Sequence, residues 1–326
     1  MNTNNRLASV VASSRSHAHK LGWGLRSVGI PATLRGAMRS TLLHLRRPRQ
    51  SEIQLASGPV LEFDYPSQVP TALVMFGDLI DPEFAFLRYI ARPGWIVADI
   101  GAAIGQFTLF AGTLPGARVH AFEPSGANIR TLQRNIARNR LGDRVQVHQL
   151  ALGDKAYEAA FQTTDHTWVS HLAPSSSPAA LLEHTETVQV RPLAAELERL
   201  GVEHLSVLKI NVAGYETAVL AGAEPLLKRG GADILVLLLG LASLPEYAKL
   251  ADWGYRFFYF HPREAALYEV TQFDAASVLD DRPWPARHIL AIHNLALARQ
   301  VIGDLAIRRP RPLTAPIPPR KLQPSS

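Results

Sequence analysis

Cysteine is absent from all 326 residues, which excludes disulfides, zinc–thiolate sites and cysteine nucleophiles. Long apolar runs are absent too. The longest outside the ends, residues 234–242, includes Gly240 and falls far short of the ~20 residues that a membrane-spanning helix needs. The opening residues lack the apolar stretch of a secretory signal. Together these absences lead us to expect a cytoplasmic protein, although the Arg- and Ser-rich start also matches a mitochondrial transit peptide in composition. The sequence has no internal repeat.

Acids are missing from both ends. Residues 1–50 carry nine Lys/Arg and no Asp or Glu, and residues 308–326 carry five more, again with no acid. That leaves twenty bases against twenty-eight acids in residues 51–307, a net of −8 within a chain whose total is +6. A basic nucleic-acid-binding face on the body is therefore not expected, whereas the ends are suited to weak contact with an anionic surface. The composition divides the chain into a basic, largely flexible N-terminal extension (1–50), a folded body (51–307) and a Pro/Arg-rich disordered tail (308–326). Within the extension Met38, Leu42 and Leu45 keep helical spacing, and Pro31 limits any longer helix. We read this stretch as a helix packed on the body or a frayed extension, ahead of a membrane-surface or partner-binding helix.

The body alternates strand-like and helix-like segments. Apolar strands are predicted over Ile96–Ile100, 117–124, 144–152, 206–212 and 232–241, with closing strands in YRFFYF and HILAIH. Ser125 is placed to start a helix whose Ile129, Leu132 and Ile136 share one face. Near-continuous apolar strands are those covered on both faces, so the fold class is α/β: a doubly wound, mostly parallel, Rossmann-like sheet. Residues 159–193 break the rhythm and read as a hairpin enclosing a long polar loop, a usual place for substrate contacts.

Three patterns carry chemistry. The first, DIGAAIGQF at 99–107, lies where a strand becomes a helix. Gly101 and Gly105 allow the backbone to pass close to a ligand, and the helix start offers free amides. The dinucleotide fingerprint is Gly-x-Gly-x-x-Gly, whereas this loop reads Gly-x-x-x-Gly, with Asp99 able to accept from an amino-acid ammonium. The pattern favours S-adenosylmethionine over NAD. The second is Glu123, ending the next strand, where a carboxylate can accept from both ribose hydroxyls. The third is Asp154, ending LALGD, where an acid is suited to the adenine amino group.

The runs IVADIGAAIGQFTLFAG, VHAFEPSGANIRTLQRNIARNRLGDRVQVHQLALGDK and LKINVAGYETAVLAGAEPLL together resemble the FkbM-type family of S-adenosylmethionine-dependent methyltransferases. The resemblance spans roughly residues 75–240, and segment 81–95 and HILAIH fit it as well. It implies a class I methyltransferase architecture, S-adenosylmethionine as cofactor, and O-methylation of a hydroxyl on a sugar or secondary metabolite. It makes Asp99, Gly101, Gly105, Glu123 and Asp154 the cofactor-binding candidates, with a small-molecule or glycan acceptor as partner.

The departures from that family matter as much. Where it usually reads Lys-Ile-Asp-Val-Glu-Gly, this chain has Lys209-Ile210-Asn211-Val212-Ala213-Gly214. Leu238-Leu239-Gly240 stands where a Glu is usual, and Ala103 where an Asn is common. Asn211 cannot take a proton, and Ala213 can bind neither metal nor hydroxyl, so no metal site is expected. The remaining bases are Lys209, Glu216, His166 and His171, with His171 preferred. The catalytic candidates are thus His171, Lys209 and Asn211. The second reading is a catalytically lapsed relative acting as a cofactor-binding or interaction module. A nicotinamide dehydrogenase is disfavoured by the glycine spacing.

Overall fold

The computed structural model describes residues 20–22, 24–25, 28–162, 171–172, 185–212, 214–240, 243–262, 264–280, 287–301 and 306–308. A helix at Ile30–Arg46 (α1) is followed by an antiparallel hairpin of Gln50–Gln54 (β1) and Val60–Asp64 (β2). Two short helices follow, Thr71–Phe76 (α2) and Glu83–Ile90 (α3). Strand and helix then alternate through Ile96–Ile100 (β3), Gln106–Gly112 (α4), Arg118–Phe122 (β4), Gly126–Arg138 (α5) and Val145–His148 (β5). Four strands come next: Ala151–Leu152 (β6), Tyr157–Gln162 (β7), His171–Leu172 (β8) and Thr185–Arg191 (β9). The alternation resumes with Leu193–Arg199 (α6), Leu205–Ile210 (β10), Glu216–Lys228 (α7), Ala232–Leu238 (β11) and Leu244–Asp252 (α8). Arg256–His261 (β12), Ala266–Val270 (β13), His288–Ile292 (β14), Leu295–Val301 (α9) and Ala306–Arg308 (β15) close the described chain.

Nine strands form the main sheet in the order β15-β13-β12-β14-β11-β10-β3-β4-β5. The five from β11 to β5 are parallel, and β14 is inserted antiparallel between β11 and β12. Winding runs outward from β3 in both directions, the doubly wound α/β class that the apolar runs predict. Successive strand residues point to opposite faces, and both faces are buried. Val97, Val207, Val236 and Leu290 join one apolar cluster, while Ala98, Leu208, Leu235 and Ile289 join the other. Ser125 caps α5 through Oγ, and Ile129, Leu132 and Ile136 are buried on the face that their spacing predicts.

The structure bears on several of these expectations. The strand expected over 144–152 is two strands, because the chain turns at 149–150 and β6 leaves β4 to pair with β9. The hairpin within 159–193 is present as β7 against β9, but 163–170 and 173–184, including His166, lie outside the described residues. The extension read over 1–50 is in part helical and docked. The α1 residues Thr33 and Gly36 are buried, and a Cβ at Gly36 would sit 2.3 Å from the Met75 carbonyl oxygen. At the other end Arg308 belongs to edge strand β15 and pairs with Glu264, while 309–326 lie outside the described residues.

Close helix–strand packing makes one glycine diagnostic. A Cβ on Gly222, in α7, would lie 1.9 Å from the Gly153 carbonyl oxygen. Gly222→Ala is expected to destabilise the fold by about 1–3 kcal/mol, the usual cost of overpacking. Urea unfolding measures this, and an unchanged midpoint would refute the packing.

Candidate active site

The winding direction reverses at β3 and β10, and ligands of open α/β sheets bind at the carboxyl ends of such strands. Here the two strands are tied by a buried ion pair. Lys209 Nζ lies 2.8 Å from Asp99 Oδ1, at directly paired register positions, and Thr108 Oγ1 donates to Asp99 Oδ2 at 2.6 Å. Lys209 Nζ also stands 5.5 Å over the Phe107 ring. Asp99 is fully buried with both oxygens engaged, so it does not line the cavity above it. The ammonium it accepts is that of Lys209.

The loop after β3 is shaped by close approach. Gly101 adopts φ +75°, and a Cβ there would lie 2.2 Å from the Asn211 carbonyl oxygen. The amides of Gly101 and Ala102 both donate to the Phe122 carbonyl at 3.0 Å. Ala103 takes φ +48°, a region that costs a Cβ-bearing residue roughly 1–2 kcal/mol. Gly105 adopts φ +102° at the start of α4, packed on Leu132 and outside the cavity lining.

Glu123 holds this loop from the end of β4. One carboxylate oxygen accepts the Ala103 amide at 2.8 Å, and the other accepts from the Ser125 amide and Asn128 Nδ2, each at 3.1 Å. Burial pushes its pKa up, and those donors oppose the shift. Beside it, Asn128 Oδ1 is buried without a hydrogen-bond partner. Glu123, Asn128 and the loop form one wall of an open cavity of about 220 Å³.

Asp81, Asn211, Arg287 and His288 line the same cavity. His288 opens β14 and is buried. Its Nδ1 lies 3.1 Å from Asp81 Oδ1, and its Nε2 lies 3.5 Å from Asn211 Nδ2. Arg287 approaches the same Asp81 oxygen at 3.5 Å, and Gln106 Nε2 donates to Asp81 Oδ2 at 2.9 Å. Burial alone would raise the Asp81 pKa, but Arg287, His288 and Gln106 outweigh it and hold the carboxyl at about 2. Glu83, 4.0 Å from His288 Nδ1, is pushed well above the usual carboxylate range by burial and by the Asp81 charge. Burial lowers the His288 pKa, against the opposing pull of Asp81. Asp81, Glu83 and His288 present one ligand atom each within 4.8 Å of one another, a grouping that the sequence reading did not foresee. The Arg287 guanidinium supplies a positive charge at that cluster.

Of the residues singled out from sequence, Gly101, Glu123, Lys209 and Asn211 meet at this cavity, and Asp99 and Gly105 support it from outside. Asp154 does not reach it. It is exposed and lines a separate depression with Pro192 and Gly222, because the chain has already turned into the small sheet at β6. The backbone of His171 pairs with Gln162 in that small sheet. Glu216 is a structural anchor, its carboxylate accepting the Val212 and Gly214 amides at 3.2 and 2.9 Å. Asp81, Glu83 and His288 were missed. The available signals were two acids at i, i+2 opening a helix and a polar residue leading an apolar strand, some two hundred residues apart.

A glycine loop at a strand switch, followed by an acid on the next strand, defines a nucleotide-type cofactor site on a doubly wound sheet. The sequence profile of the methyltransferase FkbM domain matches residues 99–257. Over those residues the chain is of the FkbM methyltransferase type. The 31-O-demethyl-FK506 methyltransferase FkbM of Streptomyces tacrolimicus is 33% identical over 161 residues, covering 41% of this chain and 61% of that protein. Methyltransferase 1 of Beauveria bassiana is 29% identical over 150 residues, covering 39% and 58%. The chain thus spans about three-fifths of the length of these two relatives. A crystallised methyltransferase FkbM from Methylobacillus flagellatus overlaps 68% of this chain and 54% of its own, with a TM-score of 0.39 and 16% identity.

Two stability measurements test this geometry. Asp99→Ala leaves Lys209 buried without its partner and is expected to cost about 3–5 kcal/mol, with Asp99→Leu plus Lys209→Met costing far less. Equal losses would show that the pair is not the issue. For Asp81, a folded-state pKa of about 2 lies below the ordinary 3.8. Its stabilisation is therefore present above about pH 4 and lost as pH falls through about 2, an effect of about 2 kcal/mol. Acid titration of wild type against Asp81→Asn should show the difference in stability shrinking over that window. A constant difference would contradict the assignment.

Proposed function

We propose that this chain is an S-adenosylmethionine-dependent O-methyltransferase that acts on a hydroxyl of a small metabolite, with His288 as the general base. One observation carries the reading: a single cavity is lined both by buried acceptors suited to a ribose (Glu123 and the unpartnered Asn128 Oδ1) and by a buried histidine 3.1 Å from Asp81. The cradle fits the cofactor. Glu123 and Asn128 would hold the sugar hydroxyls, and the loop at Gly101 leaves room for backbone approach. Phe122 and Leu150 offer apolar cover for a flat base. Bound there, S-adenosylmethionine supplies an electrophilic methyl group.

The chain's own residues then have distinct tasks. Burial favours the neutral form of His288, and the Asp81 carboxylate, 3.1 Å from Nδ1, would favour the tautomer protonated there, leaving the Nε2 lone pair for the acceptor. Nε2 takes the proton of the acceptor hydroxyl, replacing the Asn211 amide that stands 3.5 Å away. Lys209, paired with Asp99, braces the floor. On this reading β14 supplies the base that the 209–214 motif lacks. The Streptomyces relative, named for 31-O-demethyl-FK506, suits a secondary-metabolite acceptor.

Calorimetric titration should show S-adenosylmethionine binding and no NAD binding, with Glu123→Ala weakening it by about 1.5–3 kcal/mol. Against a panel of hydroxylated acceptors, His288→Ala should bind cofactor normally and lose about 10²–10⁴-fold in turnover. Because His288 must be deprotonated, the acid limb of the rate profile should fall below the ordinary histidine value of 6.5. Unimpaired turnover by His288→Ala would overturn the base assignment. Binding without turnover on any acceptor would favour the lapsed relative, and turnover abolished by EDTA would reassign Asp81, Glu83 and His288 to a metal.

A further inference from the structure

The surface of α1 carries an inference independent of the cavity. One face of this helix is fixed to the body: Thr33 and Gly36 are buried against α2, and Arg39 donates to the Val74 carbonyl at 3.4 Å. Its outward face is apolar, which inverts the usual pattern of a surface helix. Ile30, Leu34, Met38, Leu42 and Leu45 recur at spacings of four and three and are 63%, 63%, 61%, 41% and 73% exposed. Turning 100° per residue, they form a stripe about 120° wide over a helix roughly 25 Å long. Arg35, Arg39 and Arg46 run along one border of that stripe, Arg47 and Arg49 follow the helix, and no acid occurs anywhere in residues 1–50.

We propose that α1 is a preformed docking element for an anionic lipid bilayer surface, its apolar stripe sinking among the acyl chains while the arginines meet lipid phosphates. Charge decides among the possible occupants. A second copy of the same face would bring arginines against arginines, and an apolar stripe offers nothing to nucleic-acid phosphates. Low net hydrophobicity with a basic border matches helices that lie in the interface plane, and no described helix is long and apolar enough to cross a membrane. Because the opposite face is already packed on Met75, binding requires no folding of the helix, and the body would meet the membrane in one fixed orientation.

Flotation of the full chain with vesicles tests this, comparing phosphatidylcholine mixed with phosphatidylserine against phosphatidylcholine alone. Binding is expected only with the anionic mixture and should weaken as salt is raised. Leu34→Glu plus Met38→Glu should abolish it at an unchanged melting temperature, and the milder Leu34→Ser plus Met38→Gln should reduce it. Arg35→Ala plus Arg46→Ala should weaken it by about fivefold per arginine. The proposal fails if wild type does not float with anionic vesicles, or if either stripe variant binds as wild type does. It also fails if sedimentation shows the stripe variants dissolving a dimer that does not bind vesicles.

Discussion

The buried pair of Asp99 and Lys209 is the constraint on which the rest of the site is arranged. It joins β3 to β10 at the point where the sheet changes winding direction, and the two loops that face the cavity leave from those strands. Two charges taken from water at this depth hold only while each has the other, since Coulomb attraction must offset both desolvation costs. Thr108 fixes the remaining carboxylate oxygen. With the strands so held, Gly101 meets the Asn211 carbonyl at a separation that no side chain would allow. The two loops therefore share one geometry.

The residues that line the cavity have different origins in the chain. The wall of Gly101, Glu123 and Asn128 comes from residues inside the segment that matches the FkbM domain, 99–257. Asp81 and His288, which line the same cavity, lie on either side of that segment, one entering α3 and one opening β14. The cavity is thus assembled both from the segment that matches the family profile and from its flanks.

What was legible in the sequence follows the same line. The bounds of β3, the cap at Ser125, the glycine loop and Glu123 were readable because each is local: a run, a spacing or a turn states its own purpose. The small-sheet hairpin was readable from alternation alone. Asp99 was assigned to a ligand because nothing local reveals that Lys209, 110 residues later, fills the same place. Asp154 was misplaced because a two-residue bend after β5 redirects the strand, and apolar composition does not report such a bend. His288 and Asp81 were invisible for the opposite reason. Each looks ordinary by itself, and only the antiparallel insertion of β14 brings them to 3.1 Å.

Ala103 leads to a different consideration. Its left-handed backbone is one that asparagine and glycine occupy with little penalty and alanine does not, yet the Glu123 carboxylate grips its amide and keeps it there. The loop behaves as a cocked latch, with conformational tension on one side and a single carboxylate as the catch. Any ligand hydroxyl that turned to the same carboxylate would compete with the catch. Residue 103 is thus a tuning peg for how readily the loop yields to an incoming ligand, adjustable without touching any group that takes part in the chemistry.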